Sequence, residues 1–235
     1  MKISIITVCY NAEKTIEDTI RSVLKQTYKN YEHIVVDGLS TDSTLSILEK
    51  YNHLKVVSEK DCGLYDAMNK GIKMASGDII AILNADDVLA TEHVLSMIVD
   101  NFDDNTDIVY GDIKYCSEDF SKTVRHFISG EKKDDTFNPA HPSMYIKKEI
   151  YEKVGLYNTN YRIAADYDFM IRCNKANVKY KYLKECLVLM RYGGASNGIG
   201  YIKNFLECIR IYKNNGIKYP LIKTIKKTIT TLKQF

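Results

Sequence analysis

Polar and acidic residues follow four consecutive predicted strands, at the point where each strand ends. They are Thr7, Tyr10 and Asn11 after the first strand, Asp37 after the second, Glu59, Lys60 and Asp61 after the third, and Asn84, Asp86 and Asp87 after the fourth. Because ligands bind outside the carboxyl ends of parallel strands, these side chains predict a binding site along one edge of a sheet. A single Asp or Asn there could simply start a turn or cap a helix, but four strands in succession favour a site.

The adjacent carboxylates Asp86 and Asp87 indicate how such a site would bind phosphate. The turn after the first strand, residues 9–12 (CYNA), has neither a G-x-G-x-x-G nor a G-x-x-x-x-G-K-[ST] loop, which disfavours a dinucleotide dehydrogenase or a P-loop enzyme. A divalent cation would then have to meet the phosphate charge. Mg²⁺ and Mn²⁺ bind one or two protein carboxylates together with substrate phosphates, so Asp86 is the expected ligand and Asp87 a candidate second one.

The elements that position these residues alternate between two periods. Strands are predicted at residues 3–8, 33–37, 55–58 and 79–83, the last entirely apolar and so expected to be buried on both faces. Helices are predicted through Ile16 to Leu24, through Ile47 to Tyr51, and over residues 65–76, where Gly77 would be the C-terminal cap. Strand and helix in alternation predict an α/β fold, a doubly wound and mostly parallel sheet with helices on both faces.

The second half of the chain is less regular. Short strands are predicted at residues 107–115, 123–128 and 143–146, and helices at residues 147–154 and 166–176. Since no linker rich in Pro, Gly or Ser separates the halves, residues 106–200 are expected to complete the sheet begun by residues 1–105. Residues 201–235 differ in composition and form a helical tail.

Four motifs in this order resemble those of family 2 glycosyltransferases with the GT-A fold. They are residues 5–11 (IITVCYN), 34–44 (IVVDGLSTDST), 58–71 (SEKDCGLYDAMNKG) and 84–87 (NADD). The third motif is similar to that of the bacterial subgroup that builds exopolysaccharide, capsule and O-antigen units. The resemblance covers about residues 1–200, and it implies a nucleotide-sugar-binding first half and an acceptor-binding second half.

The resemblance implies roles for the residues of the nucleotide site. Thr7, Tyr10 and Asn11 would line the base pocket, with the Tyr10 ring packed on the base, and Asp37 would accept a hydrogen bond from it, most often from a uracil imide. Asp61 and Ala85 would belong to the same site. Asn84 would face the ribose, and Asp86 would hold the metal on the diphosphate. Because Asn84 replaces the family's usual Asp, the site has one negative charge fewer.

Residues 164–172 (AADYDFMIR) resemble the family's acidic motif beside the acceptor. Asp166 matches the catalytic base and Asp168 a following acid, while Ala165 stands where a Glu is common. A carboxylate at a helix start would be oriented by free backbone N–H groups and the helix dipole, but the same position also suits a plain N-cap. The implied reaction is an in-line displacement at the anomeric carbon with inversion of configuration, in which Asp166 removes the acceptor proton.

Two further segments resemble segments found in family 2 glycosyltransferases. His141 lies in a loop similar to the acceptor-side segment, where it would contact acceptor or metal, although a structural loop histidine fits equally. Arg191, with Gly193, Gly194 and Ser196, resembles the late segment that closes over the diphosphate; the Gly pair also suits a turn.

Composition limits the alternatives. The six cysteines are scattered, which disfavours a zinc site or a disulfide framework, and Cys9, Cys62 and Cys173 are predicted to be small buried residues. No leader and no run of about 18 to 20 apolar residues are seen, so a cytoplasmic protein is expected.

The net charge of +3 is too small to favour a nucleic-acid binder, but it is unevenly distributed. Residues 1–200 carry −4, whereas residues 201–235 carry eight Lys or Arg and one Glu, a net +7. In the tail, one helical face is expected to carry Leu221, Ile222, Ile225, Ile229 and Leu232. This pattern fits residues 217–235 lying on the anionic inner face of the cell membrane, and equally a helix packed on its own domain.

The sequence therefore predicts an inverting, metal-dependent hexosyltransferase that moves a sugar from a UDP-sugar to a glycan or polyprenyl-diphosphate-linked acceptor in surface polysaccharide synthesis. A non-catalytic nucleotide-sugar or glycan-binding module is the alternative, and it could dispense with Asp166. A sugar nucleotidyltransferase would need a Gly-rich loop bearing Arg or Lys after the first strand, which is missing.

Overall fold

A computed structural model describes residues 1–132, 134, 136–192 and 199–232 of the chain. The strands are β1 (Ile3–Cys9), β2 (Tyr31–Asp37), β3 (Leu54–Ser58), β4 (Ile79–Ile82), β5 (Val88–Leu89), β6 (Ile108–Cys116), β7 (Thr123–Phe127), β8 (Tyr145–Lys147) and β9 (Tyr180–Arg191). The helices are α1 (Ile16–Leu24), α2 (Thr44–Leu48), α3 (Leu64–Met74), α4 (Val94–Asp100), α5 (Lys148–Val154), α6 (Ala165–Lys175), α7 (Ile199–Asn214) and α8 (Pro220–Leu232).

The described strands form one sheet, in the order β3-β2-β1-β4-β8-β6-β9-β5, with β7 paired to β6. β1 runs parallel to both β2 and β4, so that Ile6 lies between Ile34 and Ile82. All seven residues of β1 are buried because helices cover both of its faces. The predicted α/β fold, doubly wound and mostly parallel, is confirmed.

The second half of the chain continues the same sheet. β8 pairs antiparallel with β4 on one side and with β6 on the other, and β6 then runs parallel to β9. The twelve-residue strand β9 was not predicted, because exposed charged residues interrupt its apolar pattern. At Gly111 the β6–β9 register shifts, and a Cβ there would lie 2.6 Å from the backbone oxygen of Glu185, so glycine permits the close approach.

Gly77 has a different role from the predicted helix cap. α3 ends at Met74, and Ala75 already has an extended backbone with ψ of 131°. A Cβ on Gly77 would lie 2.7 Å from the backbone oxygen of Lys2, so this glycine lets the chain pass close to the start of β1. The predicted C-cap is therefore wrong; Gly77 is needed for close packing.

The two C-terminal helices pack on each other. α8 faces the domain with polar residues and leaves its apolar residues exposed. Thr224 of α8 is buried, and the Lys227 ammonium lies 3.3 Å from the centre of the Tyr167 ring. The apolar side chains of α8 that the structure describes, Leu221, Ile222, Ile225 and Ile229, are instead 42–54% exposed. Among the described helices, none has the length and apolar character needed to cross a bilayer.

Candidate active site

The loops after β1 and β2 are tied together at the edge of the sheet. Asn11 has a left-handed φ of 50°, which Asn tolerates better than most residues. Its backbone N–H donates to Ser40 Oγ at 2.8 Å, and its side-chain oxygen accepts from the Thr41 N–H at 2.8 Å. The neighbouring Tyr10 is 64% exposed, so its ring is accessible at this edge for packing against a ligand.

Thr7 and Asp37 lie below this edge. Both are fully buried, and Thr7 Oγ1 is 2.9 Å from His33 Nε2. The Asp37 carboxylate accepts hydrogen bonds from the Ser40 N–H at 3.1 Å and the Ser58 hydroxyl at 2.6 Å. This placement favours a role in supporting the loops; direct contact of Thr7 or Asp37 with a nucleotide stays a prediction.

Asp61 meets the end of β2 because Gly38 has no side chain. A Cβ at Gly38 would lie 2.6 Å from Asp61 Oδ2, too close for any other residue without a shift. Asp61 Oδ1 accepts a hydrogen bond from the Gly63 N–H at 2.8 Å, which fixes the turn into α3. The loops after β1, β2 and β3 therefore converge, as the sequence predicts for this edge of the sheet.

The two carboxylates after β4 have unlike environments. Asp87 is fully buried and accepts a hydrogen bond from Asn84 Nδ2 at 2.8 Å, and burial, with the charge of Asp86, raises its pKa well above the usual range. Asp86 is half-exposed, whereas Ala85 is buried among the residues beneath the edge. Asp87, the second metal ligand considered from the sequence, is thus buried, and its role at a metal stays a prediction.

Asp86 alone fits the donor chemistry of a Mg²⁺ or Mn²⁺ site that substrate phosphates complete. Within the described residues, no group of three or more His, Cys, Asp or Glu side chains could hold a metal ion without a substrate.

Arg191 supports the Asp86 loop from the end of β9. Its guanidinium donates to the backbone oxygen of Asp86 at 2.8 Å, pairs with Asp18, and lies 4.4 Å from the centre of the Phe120 ring. Arg191 thus contacts the predicted metal ligand through the backbone. Gly193, Gly194 and Ser196, predicted to close over the diphosphate with it, lie outside the described residues.

Asp166 is the second residue of α6, and its carboxylate is held by a buried phenol. Tyr65 of α3 donates to Asp166 Oδ1 at 2.9 Å and to the backbone oxygen of Ile163 at 2.8 Å. The N-cap of α6 is Ala164, two residues before Asp166, and its side chain makes no capping hydrogen bond. Asp166 is therefore not the N-cap of its helix. Burial and the charge of Asp166 raise the pKa of Tyr65, which keeps the phenol a protonated donor.

His141, and Asp168 in the first turn of α6, each have partners of their own. His141 Nε2 is 2.9 Å from the Tyr157 hydroxyl, and burial lowers the pKa of His141 against an opposing effect of the Asp166 charge. Asp168 is buried and pairs with Arg172 at 2.9 Å. The Arg172 guanidinium also donates to the backbone oxygen of Leu156 at 2.8 Å. Arg172, which pairs with Asp168 within α6, thus anchors this helix to the segment before it.

A cavity of about 160 Å³ opens at the start of α3. Residues 62–66 at the start of α3 line one side, and Thr159, Tyr161 and Arg162 line the other. Tyr65, which binds Asp166, forms part of this wall. Cys62 is exposed here, so the prediction that it is buried is wrong.

Two residues of this site were not singled out from the sequence. Tyr65 lies within the 58–71 motif, and its apolar helical spacing gave no indication that its hydroxyl reaches Asp166. Glu207 is the one acidic residue of the basic tail, and its carboxylate accepts hydrogen bonds from the N–H groups of Arg162, Ile163 and Ala164 at 2.8–2.9 Å. The only indication of Glu207 in the sequence was its position as the single acidic residue of a basic segment.

Solved structures with the same architecture define its class. Staphylococcus aureus TarS (residues 1–349) in complex with UDP-GlcNAc superimposes with a TM-score of 0.69 at 21% identity, over 90% of this chain and 65% of that one. A Pyrobaculum calidifontis mannosyltransferase in complex with GDP-Man and Mn²⁺ superimposes with a TM-score of 0.66 at 18% identity, over 99% of this chain and 75% of that one. Another S. aureus TarS structure contains a longer chain, and the match covers 39% of that chain's length. The fold is that of the GT-A glycosyltransferases.

Sequence comparison then gives the family. The model of glycosyl transferase family 2 matches residues 4–168. A Mycobacterium tuberculosis "PGL/p-HBAD biosynthesis glycosyltransferase" is 30% identical over 229 residues, covering 93% of this chain and 88% of the relative. An "Uncharacterized glycosyltransferase" of Haemophilus influenzae is 30% identical over 244 residues, covering 94% and 75%. The chain belongs to glycosyl transferase family 2, as its motifs predict.

Proposed function

We propose that this chain is an inverting glycosyltransferase that moves a sugar from a UDP-sugar to a hydroxyl of a glycan or lipid-linked acceptor, with Asp166 as the catalytic base. The observation that carries the proposal is the Asp166 carboxylate, which does not cap its own helix and is held by Tyr65, a residue that also lines a cavity. A non-catalytic binding module could dispense with this carboxylate.

The reaction follows from these positions. The acceptor hydroxyl lies within hydrogen-bond reach of Asp166, and its oxygen attacks the anomeric carbon as the carboxylate takes its proton. The bond from the anomeric carbon to the diphosphate oxygen breaks on the opposite side, so the configuration inverts. The Tyr65 phenol orients the carboxylate before the transfer. A Mg²⁺ or Mn²⁺ ion held by Asp86 would offset the charge that develops on the leaving diphosphate.

The donor proposal is supported by relatives of the same fold. TarS binds UDP-GlcNAc and the archaeal mannosyltransferase binds GDP-Man with Mn²⁺. In this chain Tyr10 is exposed at the sheet edge, and Asn11, Asp61 and Asn84 lie in the loops around it. We assign the base to Tyr10, the ribose to Asn84 and the metal to Asp86, while Thr7, Asp37 and Ala85 support these loops from below.

A panel assay tests the proposal. Purified protein with Mn²⁺ is given UDP- and GDP-sugars, with and without a polyprenyl-diphosphate-linked sugar acceptor, and nucleotide release and product are measured. We expect acceptor-dependent release of UDP, with Asp166→Asn lowering kcat by about 100- to 10,000-fold while donor affinity stays within about twofold.

The matched control is Asp104→Asn, which removes the same charge at an exposed position and should keep wild-type turnover. Near-normal turnover by Asp166→Asn would remove Asp166 from the mechanism. Donor binding without nucleotide release under every condition would favour the non-catalytic module instead.

The acceptor and the location are proposed from the C-terminal helices. α8 packs on the domain through Thr224 and Lys227 and leaves an apolar face exposed, with Lys218 and Lys226 exposed nearby. An apolar face beside cations fits an anionic membrane surface. We therefore place the reaction at the inner face of the cell membrane, where a polyprenyl-diphosphate-linked acceptor would be found. We propose a role in surface polysaccharide synthesis; the mycobacterial relative is a PGL/p-HBAD biosynthesis glycosyltransferase.

A further inference from the structure

Three consecutive backbone N–H groups before α6 converge on a single carboxylate from another part of the chain. Glu207 Oε1 accepts from Arg162 at 2.8 Å, and Oε2 accepts from Ile163 and from Ala164, each at 2.9 Å. Glu207 lies within α7, more than 40 residues further along the chain. These donors belong to the entry of a helix, where N–H groups have no partners within the helix itself.

The start of α6 has no side-chain cap of its own. Its N-cap is Ala164, whose side chain carries no oxygen, although the Ala164 backbone oxygen accepts from the Asp168 N–H at 3.1 Å. Glu207 binds a different set of donors, the N–H groups of Arg162, Ile163 and Ala164 that lead into the helix. The approach to α6 is therefore held by α7.

Tyr65 holds the same segment from the other side. Its hydroxyl donates both to the backbone oxygen of Ile163 at 2.8 Å and to Asp166 Oδ1 at 2.9 Å. The N–H and C=O groups of Ile163 are thus bound by two different elements, α7 and α3. α7 also holds the adjacent Tyr161, because Asn214 donates to the Tyr161 hydroxyl at 2.8 Å and the Arg210 guanidinium lies 5.5 Å from its ring centre.

From this geometry we infer that Glu207 is a positioning residue for the catalytic base, and that the C-terminal tail, through α7, is part of the catalytic machinery. The inference rests on the proposed function, in which Asp166 accepts the acceptor proton. Asp166 follows the bound N–H of Ala164 by two residues, so a shift of this turn displaces the carboxylate. A misplacement of about 1 Å in a reacting group costs about 100-fold in rate.

The experiment measures kcat and the donor KM of Glu207→Ala and Glu207→Gln in the full chain. We expect Glu207→Ala to lower kcat by about 10- to 100-fold with the donor KM within about twofold. Glu207→Gln should recover part of this loss, because one amide oxygen can still accept from Ile163 and Ala164 while the bond from Arg162 is lost. Glu152→Ala, which removes an exposed carboxylate from α5, should match the wild type.

A merely structural role is separated by repeating the substitution in the Asp166→Asn background. If Glu207 acts through Asp166, Glu207→Ala lowers the residual transfer of that variant by less than about twofold, whereas general loosening of the fold lowers it as strongly as in the wild type. Should Glu207→Ala not fold, Glu207→Gln is compared in both backgrounds instead.

Wild-type kcat in both Glu207 variants, or an equal loss in both backgrounds, would overturn this inference and leave the proposed function standing. Wild-type protein that transfers no sugar from any donor would instead refute the proposed function, and the inference with it.

Discussion

Burial shifts the pKa of two titratable residues beneath the predicted donor site. Burial, with the charge of Asp86, raises the pKa of Asp87, which accepts a hydrogen bond from Asn84. His33 of β2 lies beside Thr7 and is fully buried, and burial lowers its pKa to about 3. His33 is therefore uncharged at neutral pH.

The lowered pKa of His33 predicts a loss of stability in acid. The unfolded chain binds a proton below about pH 6.5, and the folded chain does so only near pH 3, so stability is complete above pH 6.5 and falls as the pH drops through this interval. At pH 5 the loss is about 2 kcal/mol.

Urea unfolding of the wild type and of His33→Phe at a series of pH values checks this prediction. The variant should show a flatter dependence of unfolding free energy on pH between 4 and 6.5, and the two proteins should run parallel above pH 7. Equal slopes in acid would show that His33 is not the group responsible.

At the scale of elements, α3 connects the sheet to the carboxylate of Asp166, the proposed catalytic base. It packs against β1, and it carries Tyr65, which reaches Asp166. The contact with β1 depends on Gly71, because a Cβ there would lie 2.4 Å from Ile6 Cγ2. The helix is therefore seated on a buried strand at a distance that only glycine allows.

Gly71→Ala should destabilise the protein by about 1 to 3 kcal/mol, because overpacking against Ile6 outweighs the gain in helix propensity of about 1 kcal/mol. Lys73→Ala, an exposed change in the same helix, should stay within about 0.5 kcal/mol of the wild type. The measurement is the unfolding free energy from urea titration. A Gly71→Ala protein at least as stable as the wild type would show that α3 can move away from β1 without cost.

At the scale of the whole molecule, charge and apolar surface are concentrated at one end of the chain. Residues 1–200 carry a net −4 and residues 201–235 a net +7. The same end exposes Ile222, Ile225 and Ile229 on α8. In the proposed function, a basic and apolar tail on anionic lipid would orient the acidic body and its active site toward a lipid-linked acceptor.

The triple variant Ile222→Ser, Ile225→Ser and Ile229→Ser should bind vesicles containing phosphatidylglycerol about tenfold more weakly than the wild type, because it loses apolar insertion. Raising the salt concentration should weaken wild-type binding, and vesicles of phosphatidylcholine alone should bind little.

Val124→Ser with Ile128→Ser, which removes exposed apolar residues elsewhere, is the matched control. Cosedimentation of the protein with vesicles gives the affinities. Equal sedimentation of the triple variant and the wild type would remove the membrane proposal.

The sequence by itself determined the class of fold and the identity of most candidate site residues. Periodic apolar residues fixed the strands of the parallel half, and the side chains that follow them converge at one edge because parallel strands end together. Both features depend on local residue order, which the sequence displays directly. Strand β9 and the ends of α3 were harder to predict, since the apolar pattern of β9 is interrupted and that of α3 continues past the observed end of the helix.

The tertiary structure decided which of these residues are accessible and what holds them. Thr7, Asp37 and Asp87 are buried, whereas Tyr10 is exposed and Asp86 half-exposed, although all occupy similar positions at strand ends. The partners of Asp166 come from α3 and α7, which lie far from it along the chain. Side-chain burial and hydrogen bonds between distant segments are set by how helices pack on both faces of the sheet, and no local pattern records that packing.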